Sequence, residues 1–437
     1  MAIVKTRKSR NNKNKSGIVL LVTLLILVIL SIVGYTLTAR VSAHRHRCQY
    51  IIDYQSARYA CDAGTKYALT RLQQIKPQLI DRPNDPDFSD VFAMSEEQYQ
   101  QLLDEWTAEK ALREKQDSGK KDPNDFANLL GMLKENSSPN IPGSNDFNYP
   151  AATTKPEEPD TVTIPGPYGP AWPMITEPER FENGSAKVKI EIQDENAKYP
   201  LGWTLLQEQS IQRETKAGFQ TFCEWMGIDN VDFETLEKEL DEIAEIKTFR
   251  LTYPTLKKEE KVTETRTITR GKRTIKVPKT TKKKVTIPAS VHTKTFAKIF
   301  HSSMIDTDVL AKPTIESEDR KESAMKYLAL WGSSVVNINT APRHVLEAAF
   351  TFGGDAAEIA EEIIKLRKIK PFKDVDELRS DLLEYSESID KCEKYISTTS
   401  NFFTIRVTAT SGTAQASTVI AVKKDGGKME KVAIISG

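Results

Sequence analysis

The stretch that decides the fold is KNKSGIVLLVTLLILVILSIVGYTLTAR, residues 13–40. From Ile18 to Ala39 no residue carries a charge, and a helix of that length rises about 33 Å, enough to cross the hydrocarbon core of a bilayer. Residues 1–17 contain six Lys or Arg and no acid, so by the positive-inside rule they stay in the cytoplasm. We therefore predict a basic cytoplasmic leader at 1–17, a single transmembrane helix at 18–39, and a head on the far side.

The helix is predicted to continue past the membrane, because no proline occurs between Ala39 and Pro77. Small residues recur at helical spacing and end in a leucine, at Ala57, Cys61, Gly64, Ala68 and Leu72. Such spacings place side chains on one face, so residues 40–76 should form the outer half of one rod, packed on the head. Two alternatives stay open: an unrelated second helix, and a cleaved secretion signal, although the apolar run is long and no clear A-x-A site follows it.

The composition excludes few function classes but limits the chemistry. Lys+Arg number 62 and Asp+Glu number 61 in 437 residues, so no net field steers the chain towards nucleic acid. The cysteines and histidines form no CxxC or HxxxH pair, and a zinc site has no support. Cys48 and Cys61 lie about 20 Å apart on one helix, too far for a disulfide. A Cys223–Cys392 disulfide and two buried free thiols both stay open.

Residues 77–256 change character twice. Asp, Asn, Pro and Ser dominate 77–180, which predicts a loop-rich or disordered insertion with one helix near 95–116, begun by a Ser95–Gln98 capping box. Alternating AKVKIEI predicts a strand in the pilin-type region 181–200. Residues 201–256 are predicted to be the first part of an inserted helical domain, with helices at about 204–225 and 233–248.

A basic block interrupts this domain at 257–298, with fourteen Lys or Arg against three Glu. Its alternation around Arg270-Gly271 predicts a β-hairpin. No aromatic residue lies between Tyr253 and Phe296, so the block lacks a base-stacking platform. A solvated insertion is the preferred interpretation, with an electrostatic contact to a partner as the alternative.

The carboxyl-terminal third is predicted to complete both domains. Residues 299–397 should be the second part of the helical domain: a short strand and a helix over VVNINTAPRHVLEAAF, a helix over DAAEIAEEIIKLRKI, and another after Pro371. Residues 398–437 should form the last strands of the sheet, with a turn at Ser411-Gly412.

Several of these stretches together resemble one family, general secretion pathway protein K, the large minor pseudopilin of the type II secretion system. They are the Ser16-Gly17 leader, IEIQDENAK at 190–198, NINTAPRHVLEAA at 337–349, IIKLRKIKPFKDVDEL at 363–378 and FFTIRVTA at 402–409. The resemblance implies an α+β, pilin-like fold, in which a long amino-terminal membrane helix packs on an antiparallel sheet. It also implies a large inserted α-helical domain with helix-hairpin-helix-like segments.

The resemblance implies processing and partners as well. The prepilin peptidase would cut between Gly17 and Ile18 and methylate Ile18. Val22 stands where most pilins carry a glutamate, and this absence is usual in the K family and associated with the fibre tip. The implied partners are other minor pseudopilins at the tip, the peptidase and the bacterial inner membrane, with the carboxyl-terminal domain in the periplasm. Calcium is the one cofactor implied, but Asp194 and Glu195 are expected to be surface acids, and no metal ligand is assigned.

The main alternative is a membrane-anchored DNA receptor of a competence or type IV pilus system. The segment from 337 to 378 also resembles the helix-hairpin-helix of such receptors, in which glycine lets backbone N–H groups approach a phosphate. Gly354 matches the first hairpin glycine, but Ala356 replaces the second and Asp355 lies between them. Acid at that point repels DNA, so no nucleic acid is expected. No enzyme is expected either, because His344 has no nearby nucleophile motif and is expected on a helix surface.

Overall fold

The computed structural model describes residues 13–74, 86–117, 169, 172–173, 175, 178–206, 209–244, 251–270, 273–291, 305–331, 333–426 and 428–437. At 13–18, 110, 113–117, 209–210 and 244, and in the strands of 251–291, only the backbone is described. Most of the predicted leader and most of the loop-rich insertion lie outside these residues.

The residues that the structure describes form helices and strands with three short 3₁₀ turns among them. In chain order they are α1 Lys13–Gln74, α2 Glu96–Asp117, β1 Glu179–Asn183, β2 Ala186–Asp194, β3 Tyr199–Pro200, the 3₁₀ turn Leu201–Leu205, α3 Gln209–Trp225, α4 Asn230–Ala244, β4 Leu251–Arg270, β5 Arg273–Val291, α5 Thr307–Ala311, β6 Pro313–Glu316, β7 Lys321–Ser323, α6 Ala324–Tyr327, β8 Leu328–Ala329, β9 Val336–Asn337, α7 Arg343–Phe350, α8 Ala356–Ile369, α9 Val375–Asp381, the 3₁₀ turn Leu383–Tyr385, α10 Ser386–Cys392, the 3₁₀ turn Glu393–Tyr395, β10 Ile396–Ser397, β11 Phe402–Ser411, β12 Ala414–Asp425 and β13 Lys428–Ser436.

Five strands form an antiparallel sheet in the order β1-β2-β11-β12-β13. Strand β2 buries alternate residues, as its sequence predicted, because successive side chains point to opposite faces. Strand β1 was not predicted; Gly184, with φ of +62°, turns it into β2. The turn between β11 and β12 lies at Gly412-Thr413, one residue later than expected, since Ser411 still pairs with Ala414.

Helix α1 packs its outer half on this sheet. The stripe of small residues is buried, as are aliphatic residues of β2 and β11 that face it. The predicted pilin-like α+β architecture is therefore confirmed: one long helix lies on an antiparallel sheet, and the elements from β3 to β10 are inserted between β2 and β11.

The close approach of helix and sheet depends on Gly64. A Cβ atom at this position would lie 2.9 Å from the Cγ1 atoms of both Val188 and Val407, closer than packed carbon atoms tolerate.

We expect Gly64→Val to lower the free energy of unfolding by about 2 kcal/mol, because an overfilled interface forces strands and helix apart. Urea denaturation of the full chain in detergent, followed by tryptophan fluorescence, measures this loss. Adding Val188→Ala should recover part of it, since the deletion opens space where the clash occurs. Equal stability of Gly64→Val and the wild-type chain would contradict the close packing.

The inserted domain has its own apolar core, which gathers residues from across the chain. Residues before and within α2 contribute Phe88, Val91, Tyr99 and Trp106 to it. The loop-rich composition outside the predicted helix did not indicate this burial of Phe88 and Val91. The capping box is confirmed: Ser95 N–H donates to Gln98 Oε1 at 2.9 Å, and Gln98 N–H donates to Ser95 Oγ at 3.3 Å.

The basic block contains a hairpin, as predicted. Strands β4 and β5 pair antiparallel from Leu251 to Arg270 and from Arg273 to Val291. The hairpin begins six residues before the predicted block.

Candidate functional site: the anchor helix and the junction of sheet and head

The inner half of α1 stands free of the head. Every described side chain from Val19 to Ile52 is exposed, and burial begins only near Ala57. In the part of the chain that the structure describes, this is the helix long and apolar enough to cross a membrane. An unbroken helix thus joins an apolar rod to the spine of the head.

The predicted processing residues lie at the start of this rod. Gly17 and Ile18 lie in the first two turns of α1, and no described contact involves the Ile18 side chain, so cleavage and methylation stay predictions. Val22 is 46% exposed and sits in a stretch without acid. An uncharged residue at this position avoids the cost of placing a carboxylate in lipid.

The junction of sheet and inserted domain is built around Asp194, the last residue of β2. Its side chain is 1% exposed. Its Oδ2 accepts hydrogen bonds from Ser400 Oγ at 2.6 Å and from Thr340 Oγ1 at 2.9 Å, and its Oδ1 accepts one from Asn196 N–H at 2.9 Å. A single carboxylate therefore connects three segments that are far apart in sequence.

The pKa of this carboxylate is shifted mainly by its burial. Loss of solvation raises the pKa of Asp194 to about 6, although the three hydrogen bonds act in the opposite direction by favouring the charged form.

Three asparagines complete the junction. Asn196 Oδ1 accepts from the N–H groups of Asn401 and Phe402 at 2.9 and 2.8 Å. Asn337 donates to Ser400 Oγ at 2.7 Å. Asn339 donates to the carbonyls of Phe372 and Thr398, both at 2.9 Å. Buried polar backbone at the crossing point is thereby satisfied. The segments 190–198 and 337–349 both resemble the K family, but no local pattern in the sequence predicted that they meet in the fold.

The expectation that Asp194 and Glu195 are surface acids is wrong, since both are buried. They nevertheless do not suit calcium, which takes six to eight oxygen ligands. The oxygens of Asp194 accept hydroxyl and N–H groups, and Glu195 Oε1 pairs with Lys198 Nζ at 2.8 Å. Of these four carboxylate oxygens, Glu195 Oε2 is the one without a hydrogen-bond partner among the described residues. Among those residues, no three or more His, Cys, Asp or Glu side chains come together in a group that could hold a metal.

The helix-hairpin-helix consists of α7, α8 and the turn between them. Gly354 and Asp355 take left-handed backbone angles, with φ of +86° and +54°. A Cβ atom on the preceding Gly353 would lie 2.5 Å from the carbonyl oxygen of Ser388, so the turn lies against α10. Glu358 and Glu361 are exposed at the start of α8. The hairpin is packed on one side and acidic on another.

Arg367, near the end of α8, points into the protein. It is 2% exposed and donates to the carbonyl oxygens of Ile338 and Ala341 at 2.7 and 2.6 Å, and to Ser89 Oγ at 2.7 Å. It therefore holds the carbonyl groups on both sides of Thr340 in the same loop, and Asp194 binds the side chain of Thr340.

His344 is buried, so its expected position on a helix surface is wrong. Its ring lies edge-on to Phe92 and Tyr327, with centroids 4.6 and 4.2 Å away. Burial lowers the pKa of His344 well below its usual value, and no described group hydrogen-bonds its Nε2 atom. This environment is that of an aromatic core.

The two cysteines considered for a disulfide, Cys223 and Cys392, are both buried free thiols in the structure. Burial raises the pKa of Cys392 to about 11 and that of Cys223 further. Both are packed in the core of the inserted domain. Of the two alternatives, the structure has the free thiols.

Among solved structures, the chain is similar to the crystal structure of the GspK–GspI–GspJ complex from the type 2 secretion system of enterotoxigenic Escherichia coli. The sequence identity is 13% and the TM-score 0.34, and the match covers 60% of this chain and 84% of that chain. No family model matches the chain, and no curated protein matches it.

Proposed function

We propose that the chain is a minor pseudopilin of a type II secretion system, held in the bacterial inner membrane by α1 with its head in the periplasm. The observation that carries this proposal is the continuity of α1: a basic leader ending at Ser16-Gly17 enters an apolar rod, which runs without a break into the spine of a sheet. Such a helix serves both as membrane anchor and as a packing surface for neighbouring helices.

The proposed position is the fibre tip, where the subunit initiates or caps assembly for export across the outer membrane. Val22 supports this position, because a subunit without the usual glutamate fits where that carboxylate need not pair with a neighbour's amino terminus. The inserted domain, from β3 to β10, is bulky and lies between strands of the sheet. It would hinder another subunit from stacking above. The role is one of packing with other minor pseudopilins, not catalysis.

Processing at Gly17 tests the proposal. In cells that contain the prepilin peptidase, the wild-type chain should lose its 17-residue leader and acquire a methylated Ile18, both visible by mass spectrometry. Gly17→Leu should accumulate as the precursor, because the bulky side chain blocks the cut.

A matched control is Gly34→Leu, the same change in the same rod at a position with open space around it; this variant should mature normally. Normal maturation of Gly17→Leu would contradict the proposal.

The DNA-receptor alternative has less support, because Arg367 is turned into the core and Asp355 and Glu358 lie at the hairpin. Acid at a phosphate site weakens binding. Salt-sensitive retention of duplex DNA by the full chain would favour the receptor instead.

A further inference from the structure

A basic collar follows the apolar rod directly. It consists of Arg40, His44, Arg45, His46 and Arg47, and all five side chains are exposed. The first acid of the chain is Asp53, about 9 Å further along the helix axis than Arg47. No ion pair is found for the three arginines among the residues that the structure describes. The collar is therefore a concentrated positive charge that no acid among the described residues pairs with.

The position of the collar matches the head-group layer of a membrane. If Ile18 to Ala39 fills the hydrocarbon core, the residues from Arg40 to Arg47 begin at its outer boundary. They extend about 10 Å along the axis, comparable to the head-group region on one side of a bilayer. Arg40 and Arg47 lie two turns apart on one face, and Arg45 lies on another, so arginines project from two sides of the helix. Their side chains can reach head groups on both of these sides.

The collar also has a cost that needs an explanation. Positive charge on the outer side of a membrane helix opposes the orientation that the six basic residues of the leader favour. Anionic lipid offsets this cost, since guanidinium groups bind phosphate oxygens in bidentate geometry.

We propose that the collar binds anionic phospholipid head groups in the leaflet that faces the head, and so fixes the depth of α1 in the membrane. This inference rests on the membrane insertion contained in the proposed function, but not on the role at the fibre tip.

Cys48 offers a probe beside the collar. It is exposed, whereas Cys61, Cys223 and Cys392 are buried and their raised pKa values disfavour the reactive thiolate. The full chain is labelled there with a fluorescent donor and reconstituted into phosphatidylcholine vesicles with a minor fraction of phosphatidylglycerol. Energy transfer to acyl-labelled phosphatidylglycerol is compared with transfer to acyl-labelled phosphatidylcholine at equal mole fraction.

We expect the phosphatidylglycerol acceptor to be enriched around the wild-type chain. Replacing Arg40, Arg45 or Arg47 by Gln should reduce the enrichment about fivefold each at low salt, and their replacement by Lys should keep most of it. Salt near 1 M, where the Debye length is about 3 Å, should abolish it. Arg58→Gln is the matched control. Arg58 is exposed on the same helix, about 16 Å beyond Arg47 along the helix axis and away from the membrane, so its replacement should leave the enrichment unchanged.

Equal transfer to both lipids from an inserted chain would overturn the inference, and is the outcome expected if the collar faces an acidic partner subunit instead. An enrichment that survives the triple Gln replacement would also overturn it. Extraction of the protein from the vesicles by alkali, by contrast, would show that α1 is not inserted, and would contradict the anchor of the proposed function itself.

Discussion

Replacing Asp194 by alanine is expected to lower the free energy of unfolding by about 3 kcal/mol or more. The change leaves the hydroxyls of Ser400 and Thr340 and the N–H group of Asn196 without their acceptor in a buried site, and each such loss costs about 1–3 kcal/mol. Because these groups come from separate segments, the junction of sheet and inserted domain should loosen before either core does.

Asp194→Asn is the informative control. The amide keeps the shape, its oxygen can accept from Asn196 N–H, and its NH₂ group can donate to the two hydroxyls, which rotate freely. We expect it to cost less than about 1 kcal/mol near pH 7, where it also removes a buried charge. Urea denaturation of both variants in detergent gives the comparison. If Asn destabilises as much as Ala, the hydrogen-bond account of the junction is wrong.

The pH dependence follows from the raised pKa. The native pKa of Asp194 is about 6, above the ordinary value of 3.8, so the native state holds a proton that the unfolded state has released. This contribution to stability is fully present below about pH 4 and is lost as pH rises through 6. The difference between the two pKa values corresponds to roughly 3 kcal/mol. The free energy of unfolding of Asp194→Asn should therefore lack this decrease between about pH 4 and pH 7. If the variant and the wild-type chain had the same pH profile, the raised pKa of Asp194 would be contradicted.

Local patterns in the sequence were sufficient for the elements that depend on local physics. The uncharged run from Ile18 to Ala39, the alternation in β2 and the Ser95–Gln98 capping box each predicted what the structure shows, since periodicity and capping act within a few residues. The stripe of small residues from Ala57 to Leu72, which includes Gly64, also predicted which face of α1 meets the sheet. The fold class could therefore be inferred before any contact was known.

Burial of polar residues was not predictable in the same way. Asp194, Glu195 and His344 were expected at the surface, because a charged or polar residue is usually exposed. They are buried because partners distant in sequence, such as Ser400 for Asp194 and Phe92 for His344, come together only in the folded chain. The same reason explains why burial within 86–94 was not expected: these residues do form turns, but the apolar side chains of Phe88 and Val91 pack in a core made by other segments.

Arg367→Ala is expected to be the most destabilising single change in the inserted domain, by on the order of 4 kcal/mol. It orphans the carbonyl oxygens of Ile338 and Ala341, removes a donor from Ser89, and leaves a cavity. The neighbouring Lys368→Ala is the matched control. Lys368 is half exposed and makes a surface ion pair with Asp87, which is worth less than about 1 kcal/mol. Equal losses for the two variants in urea denaturation would contradict the structural role of Arg367.

The two predictions are coupled through one loop. Thr340 donates to Asp194, and the adjacent Ala341 accepts from Arg367, so both side chains hold the loop between β9 and α7. Once either side chain is removed, the loop can shift and the other side chain has less to hold. The double variant Asp194→Ala/Arg367→Ala should therefore lose less stability than the sum of the single losses, by about 1 kcal/mol or more. Strict additivity would mean that sheet and inserted domain are joined through other contacts, and that this loop does not transmit between them.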